Sequence, residues 1–401
     1  MKTGNIYISF IIIIFCSCTV KQTDLFMNTS YMINLDGKQE LSLPFSNYFK
    51  SAEIIILETN ADCLIGRIEE FQVFDECIYI LDAHIANSLF VFDIEGRFIR
   101  KIGRVGRGPG EYIKLLDFTL DTENRFIYLL DFGQRIHKYS LDGAYIQTII
   151  PQIDKTNVIF IQYFSGKLYM SVRAWTPTPD DYMLLETDTV DGKILSSSLP
   201  LKYNKGWAKP FDTGHSFFMS RLSSPPLYAQ LFMDYIVTIG EKIFPYIELK
   251  SKHLVTDTDL ENFLEDNDYV GKFMNAFQEK SKIWDMHDFV ENDNFIMFRY
   301  RTKFRILNTV IYHKKTETVK LINYLHNDLI FKSDTDGIYR RFVFSDKGGA
   351  YEVLQSVRLD NFLKSARNNE LVNDLDKFND LLKLSQLKEE PNPIIIYYEF
   401  I

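Results

Sequence analysis

A chain of 401 residues is long enough for two or three average domains or for one large all-β domain. Hydrophobic residues make up 46% of it and charged residues 25%, a composition that excludes a disordered chain. The formal charge of -9 excludes general nucleic-acid binding, which needs a net basic footprint.

The chain opens with Lys2 and an apolar run over residues 6–15, followed by Cys16, Ser17 and Cys18. That run is shorter than the about 20 residues of a membrane-spanning helix, so it reads as the apolar core of a secretory signal. The small residue before Cys18 resembles the end of a bacterial lipobox, although Phe15 stands where a lipobox carries Leu. The expectation is a lipoprotein signal over 1–18 with lipid attached at Cys18, a tether over 19–48 and a folded domain over 49–401. Cys63 and Cys77 then fall at opposite ends of one strand, as separate buried thiols.

Aromatic residues reach 15%, with 33 Phe and 23 Tyr, which suits pleated, half-buried strands. Two stretches repeat. Residues 78–82, 89–93 and 95–99 align with 127–131, 136–140 and 142–146, and the acidic anchors Asp82 and Asp131 mark the same place in each. Glu95-Gly96 and Asp142-Gly143 are the pairs a tight hairpin wants, because glycine accepts positive φ. Adding the strands at 65–74 and 113–120 makes four antiparallel strands per unit, the size of a propeller blade of roughly 40–50 residues.

Diverged units follow. Residues 167–172, 182–187 and 192–199 suit a third blade. The stretches 216–222, 228–232, 235–239 and 245–250 suit a fourth, and 286–290, 295–300, 304–313 and 318–324 a fifth. Residues 338–345 and 350–355 begin a sixth. Helical spacing over 257–280 and 357–387, with Leu359, Phe362, Leu363, Leu371, Leu375, Phe378 and Leu382 on one stripe, predicts two inserted helical segments. The run 394–400 reads as a last strand. Pairing it with 53–57, as outer strand of the final blade, would close the ring and remove two exposed edges. The expected fold is all-β: a six-bladed β-propeller closed by its N- and C-terminal strands.

The stretch Gly103-Arg104-Val105-Gly106-Arg107-Gly108-Pro109-Gly110-Glu111-Tyr112, followed by Asp117-Phe118 and the second repeat, resembles an NHL repeat. Over about residues 50–400 the chain is similar to the six-bladed β-propeller lipoproteins of Bacteroidota. The resemblance implies fold and compartment, the cell envelope, at the outer membrane or in the periplasm; it implies no particular activity.

The glycine-rich loop lacks both the helix and the Gly-Lys-Ser/Thr of a phosphate cradle, so it reads as a blade-to-blade crossover. In an up-and-down blade the crossover shares a face with the loop between the second and third strands. That places Arg104, Arg107, Glu111 and Tyr112 on the same face as Asp82, His84, Asp131, Arg173, Trp175, Arg299 and Arg301. Arginine forks favour carboxylate, phosphate or sulfate. The candidate ligand-binding set is therefore Arg104, Arg107, Glu111, Tyr112, Arg173, Trp175, Arg299 and Arg301, with Asp82 and Asp131 as turn caps. The seven histidines show no zinc spacing, and no nucleophile elbow is present. The expectation is a monomeric, lipid-anchored binding module without metal or cofactor, taking a small molecule, a glycan or peptide (anionic on the arginine argument), or a protein. The alternatives are a propeller hydrolase or lyase acting on carbohydrate or peptide at the channel mouth, and a structural partner of an envelope complex.

Overall fold

The computed structural model describes residues 29–204, 217–218, 225–264, 279, 281–303, 306–330, 342–345, 348–355 and 391–401. Three strands lead the described chain: β1 (Tyr31–Asn34), β2 (Gln39–Pro44) and β3 (Phe49–Ile56). The first sheet holds β4 (Glu70–Phe74), β5 (Cys77–Asp82), β6 (Ser88–Asp93) and β7 (Phe98–Ile102). A two-strand crossover, β8 (Arg104–Val105) with β9 (Glu111–Tyr112), leads to the second. That sheet is β10 (Leu115–Asp121), β11 (Phe126–Asp131), β12 (Ile136–Ser140) and β13 (Tyr145–Ile149). The third is β14 (Thr156–Phe164), β15 (Lys167–Ala174), β16 (Tyr182–Thr187) and β17 (Ile194–Pro200). The fourth is β18 (Phe217–Phe218), β19 (Leu227–Tyr228), β20 (Tyr235–Thr238) and β21 (Phe244–Lys250). After the helix α1 (Asp257–Leu264) comes the fifth: β22 (Asp285–Glu291), β23 (Phe295–Lys303), β24 (Ile306–His313) and β25 (Thr318–His326). The last is β26 (Phe342–Ser345), β27 (Gly349–Leu354) and β28 (Ile394–Phe400), with β3 on its edge.

The arrangement is an all-β propeller. The first strands of successive sheets adjoin: β4 with β10, β10 with β14, β14 with β18, β22 with β26, and β26 with β4. Sheet faces pack on one another through apolar side chains. Tyr79, Leu81 and Val91 meet Phe118, Leu120 and Leu129 between the first and second sheets. Tyr351, Val353 and Ile395 meet Phe71, Ile78 and Phe90 between the last and the first. The aromatic surplus fills these seams, where flat rings cover the most area per residue.

Strand β3 pairs antiparallel with β28, Ile56 opposite Ile394, so the expected partnership of N- and C-terminal strands is present. Residues 31–44, expected within a tether, form strands instead. β1 adds in parallel to the outer edge of the fourth sheet and β2 to that of the fifth. Those edges carry unpaired backbone groups, and the incoming strands satisfy them. Tyr31 anchors this strap, its ring edge-on to Tyr246 at 5.3 Å and to Tyr312 at 5.4 Å.

β14, outside the three stretches expected for the third blade, completes that sheet as its first strand. Of the two expected helical segments, the described residues hold the short α1. It starts on a reciprocal cap in which Thr256 and Asp259 bond each other's backbone N–H. Most of 257–280 beyond α1, and all of 357–387, lie outside the described residues, as does the signal segment 1–18. Among the described residues no helix is long and apolar enough to cross a membrane. Cys63 is buried and Cys77 only half-buried, not buried as expected; neither is bridged, and burial pushes both thiols up.

Candidate functional site

Antiparallel alternation gives the propeller two unlike faces. The loops before each first strand, between the second and third strands, and after the fourth lie on one side. The hairpins at 75–76, 94–97, 122–125, 141–144 and 165–166 lie on the other and are short, all but 122–125 carrying glycine or aspartate.

On the longer-looped face, Glu111 organises the crossover. Its Oε2 accepts from the Gly108 N–H at 2.7 Å and its Oε1 from Arg104 Nε at 2.7 Å. The Gly108 bond, then Arg104, holds this carboxyl below its ordinary value. A side chain at position 106 would meet the Glu111 carboxylate and push it out of this arrangement. Gly110 adopts φ +71°, with the Tyr145 ring where a Cβ would project, and its carbonyl accepts from the Tyr139 hydroxyl. Asn87 fastens the crossover to the first sheet, donating to the Ile113 carbonyl and accepting from the Leu115 N–H, both at 2.8 Å.

Asp82 and Asp131 act as caps. Asp82 accepts from the N–H groups of Gly66 and Ile85 at 2.7 and 2.8 Å. Asp131 accepts from the Arg135 N–H at 3.1 Å and from Arg135 Nε at 3.0 Å, and its Oδ2 lies 3.2 Å from His137 Nε2. Burial works to raise the Asp131 carboxyl, but the bonds from His137 and then Arg135 prevail and hold it low. Beside Asp82, Glu69 pairs with Arg67 and with His84 Nδ1 at 3.0 Å.

The candidate set does not form one basic mouth. Arg104 is spent on Glu111, and Tyr112 is 1% exposed inside the apolar seam, because its ring seals the crossover from below. Arg299 is half-buried against Asp288, and Arg301 pairs with Asp285 at 3.3 Å while lying over the Trp284 ring. Arg173 is half-buried. Arg107 and Trp175 are exposed, and Trp175 donates from Nε1 to Asn157 at 3.1 Å. Carboxylates one strand away neutralise most of these arginines.

Sequence reasoning missed the apolar character of this face. Leu64, Ile85, Val105, Ile113, Phe132, Ile150 and Trp175 all sit on its loops, each between 48% and 69% exposed. The signal was available for Leu64, Ile85, Phe132, Ile150 and Trp175, large apolar residues standing between strands. Also missed was the pair His287–Asp288 inside β22, whose signal was two adjacent polar residues between Met286 and Phe289. Among the described residues no three His, Cys, Asp or Glu side chains gather as metal ligands.

No curated protein matches the chain. Crystal structures of two Bacteroides proteins are among those that share its fold. One, from Bacteroides fragilis and described as a "Putative exported protein", is 19% identical, covering 92% of this chain and 99% of its own, with a TM-score of 0.70. The other, a member of the duf4221 family from Bacteroides vulgatus, is 10% identical, covering 88% and 98%, with a TM-score of 0.50. Residues 30–399 match the family model "Domain of unknown function (DUF4934)", and the chain belongs to that family.

Proposed function

We propose that this protein is an exported, envelope-bound binding module that presents its apolar loop face to a ligand or protein partner. The observation that carries the reading is the set of exposed apolar side chains on one face. Large apolar side chains gathered on the loops of one face suit an interaction site, because leaving them in water is unfavourable. Trp175 adds a flat ring to that set, and Arg107 an exposed charge on the same face.

Three finer points belong to the same reading. Each of the six sheets of four or five strands is one blade, supported by the apolar seam that joins the last sheet to the first. Export and a lipid on Cys18 are supported by the signal-like start, and export also by the exported description of the Bacteroides fragilis protein. The chain joins the propeller where the Ser30 N–H meets the Pro245 carbonyl, at the hairpin end of β21. A lipid-anchored chain would therefore direct the loop face away from its own anchor, towards soluble or neighbouring partners.

Photo-crosslinking side chains placed at Phe132 and at Trp175, with a control at Val190 on the hairpin face, test the proposal in living cells. The expected result is discrete adducts from Phe132 and Trp175 and none from Val190. Equal products from both faces, or none from the loop face, would overturn it.

A further inference from the structure

We propose that the outer rim beside the entry of the N-terminal chain is a membrane-contact surface, with Met32, Leu41 and Phe244 seated at the headgroup–acyl boundary of a lipid bilayer. The proposal rests on the reading that Cys18 is lipidated, and it adds the orientation that a lipid by itself does not set.

The surface is built by the strap. β1 lies parallel along β21 and β2 along β25, so these two become the outermost strands of the fourth and fifth sheets. Alternation along β1 commits the neighbours of Met32 to packing: Ile33 is fully buried, and Tyr31 meets the Tyr246 and Tyr312 rings. Met32 between them is 61% exposed, Leu41 on β2 is 68% exposed, and Phe244 at the start of β21 is 51% exposed. Outer edges are ordinarily blunted with charge or proline, because an apolar edge invites association. Three large apolar side chains on two neighbouring edges depart from that rule. They do so beside the chain's entry, where the Ser30 N–H meets the Pro245 carbonyl, next to Phe244.

The length of chain ahead of that point selects the occupant. Residues 19–28 separate Cys18 from the described chain. Fully extended, such a segment reaches at most about 35 Å, so a lipid on Cys18 would keep this rim within that distance of the bilayer. Tethering makes the contact intramolecular, and a surface too weak to hold the free protein then suffices. One tether leaves the domain free to rotate, whereas three apolar points on two sheets fix a plane. Exposed charges of both signs stand beside them, Lys38 and Glu40 on the strap and Glu241 and Lys242 before Phe244. Contact therefore follows burial of apolar side chains rather than headgroup charge. The apolar loop face, carried by loops between Leu64 and Trp175, is left to its own partner.

The full-length acylated protein would be reconstituted in phosphatidylcholine vesicles brominated on their acyl chains, with a tryptophan reporter at one of two places. Phe244→Trp should lose most of its added emission, in low and high salt alike, while Phe132→Trp on the loop face should keep it. Adding Met32→Ser and Leu41→Ser to the Phe244→Trp protein should restore most of the lost emission at an unchanged melting temperature; undiminished quenching there would overturn the role of the strap. Mass spectrometry of the Cys18 peptide reads the anchor separately. Acylated protein whose Phe244→Trp emission is quenched no more than that of Phe132→Trp would overturn the rim contact and leave the anchor standing. A Cys18 peptide without acyl mass would overturn both. A Phe244→Trp emission shift that needs no vesicles and grows with protein concentration would assign the rim to a second copy, and would likewise overturn the proposal.

Discussion

The seam between the first and second sheets and the seam between the fifth and sixth solve the same packing problem with different materials. The first is closed by carbon: Leu81, Leu89 and Val91 against Phe118, Ile127 and Leu129, with the Tyr139 hydroxyl as a polar fastener to the Gly110 carbonyl. The second has an apolar part around Val290, Met297, Ile311 and Ile396, but charge and hydroxyl are buried with it. There the Tyr398 hydroxyl donates to Glu352 at 2.6 Å and accepts from Asn327 at 2.7 Å. Nearby, Asp288 holds Arg299 and His287. An apolar seam tolerates any partner of suitable volume. A polar one must match atom by atom, since a buried group left unpaired is unfavourable. The difference teaches that one end of the chain is built for regular stacking and the other carries chemistry that stacking does not require.

The largest break in that contrast should come from Asp288→Ala. Removing one partner of a buried ion pair strands the other, at about 3–5 kcal/mol. The urea midpoint should fall with the slope unchanged; a loss of about 0.5 kcal/mol, the size of a surface substitution, would make the polar seam incidental.

A matched pair of substitutions sharpens the comparison. Tyr398→Phe deprives both Asn327 and Glu352, and should destabilise by about 1–3 kcal/mol. Tyr139→Phe frees one backbone carbonyl and should lose about 1 kcal/mol. Equal losses in chemical denaturation would erase the distinction between the seams.

The smallest effect is in acid, on the regular side. The Asp131 carboxyl is held low in the folded state by His137 and Arg135 against the opposing pull of burial. Its folded value lies below its unfolded one, so its contribution is complete above the unfolded value and fades as pH falls through the folded one. Asp131→Asn should therefore be less stable than wild type at neutral pH and lose less on going below about pH 4. Parallel acid limbs in urea midpoints measured from pH 6 to pH 2.5 would show that Asp131 contributes nothing to this fall.

The regular end was legible because its signals are local. The spacing of Asp82 and Asp131, the Glu95-Gly96 and Asp142-Gly143 turns and the glycines around Glu111 each depend on neighbours within a few residues, and all of them settled into the expected strands and caps. The candidate site was legible only as a face. Arg299 and Arg301 alternate in β23 as expected, but their partners Asp288 and Asp285 come from β22, and no spacing within either strand announces which acid meets which base.

By itself, then, the amino-acid order determined the all-β class, the repeated four-strand unit and the pairing of the last strand with residues near 53–57, because period-two alternation and positive-φ turns are properties of short segments. Tertiary structure alone decided that residues 31–44 strap the outer edges of two sheets, that Tyr112 is sealed inside a seam while Arg107 is exposed, and that His287 is oriented by a bulged Asp288. Each of those outcomes depends on a partner distant in sequence, and burial and charge pairing are settled only when that partner arrives.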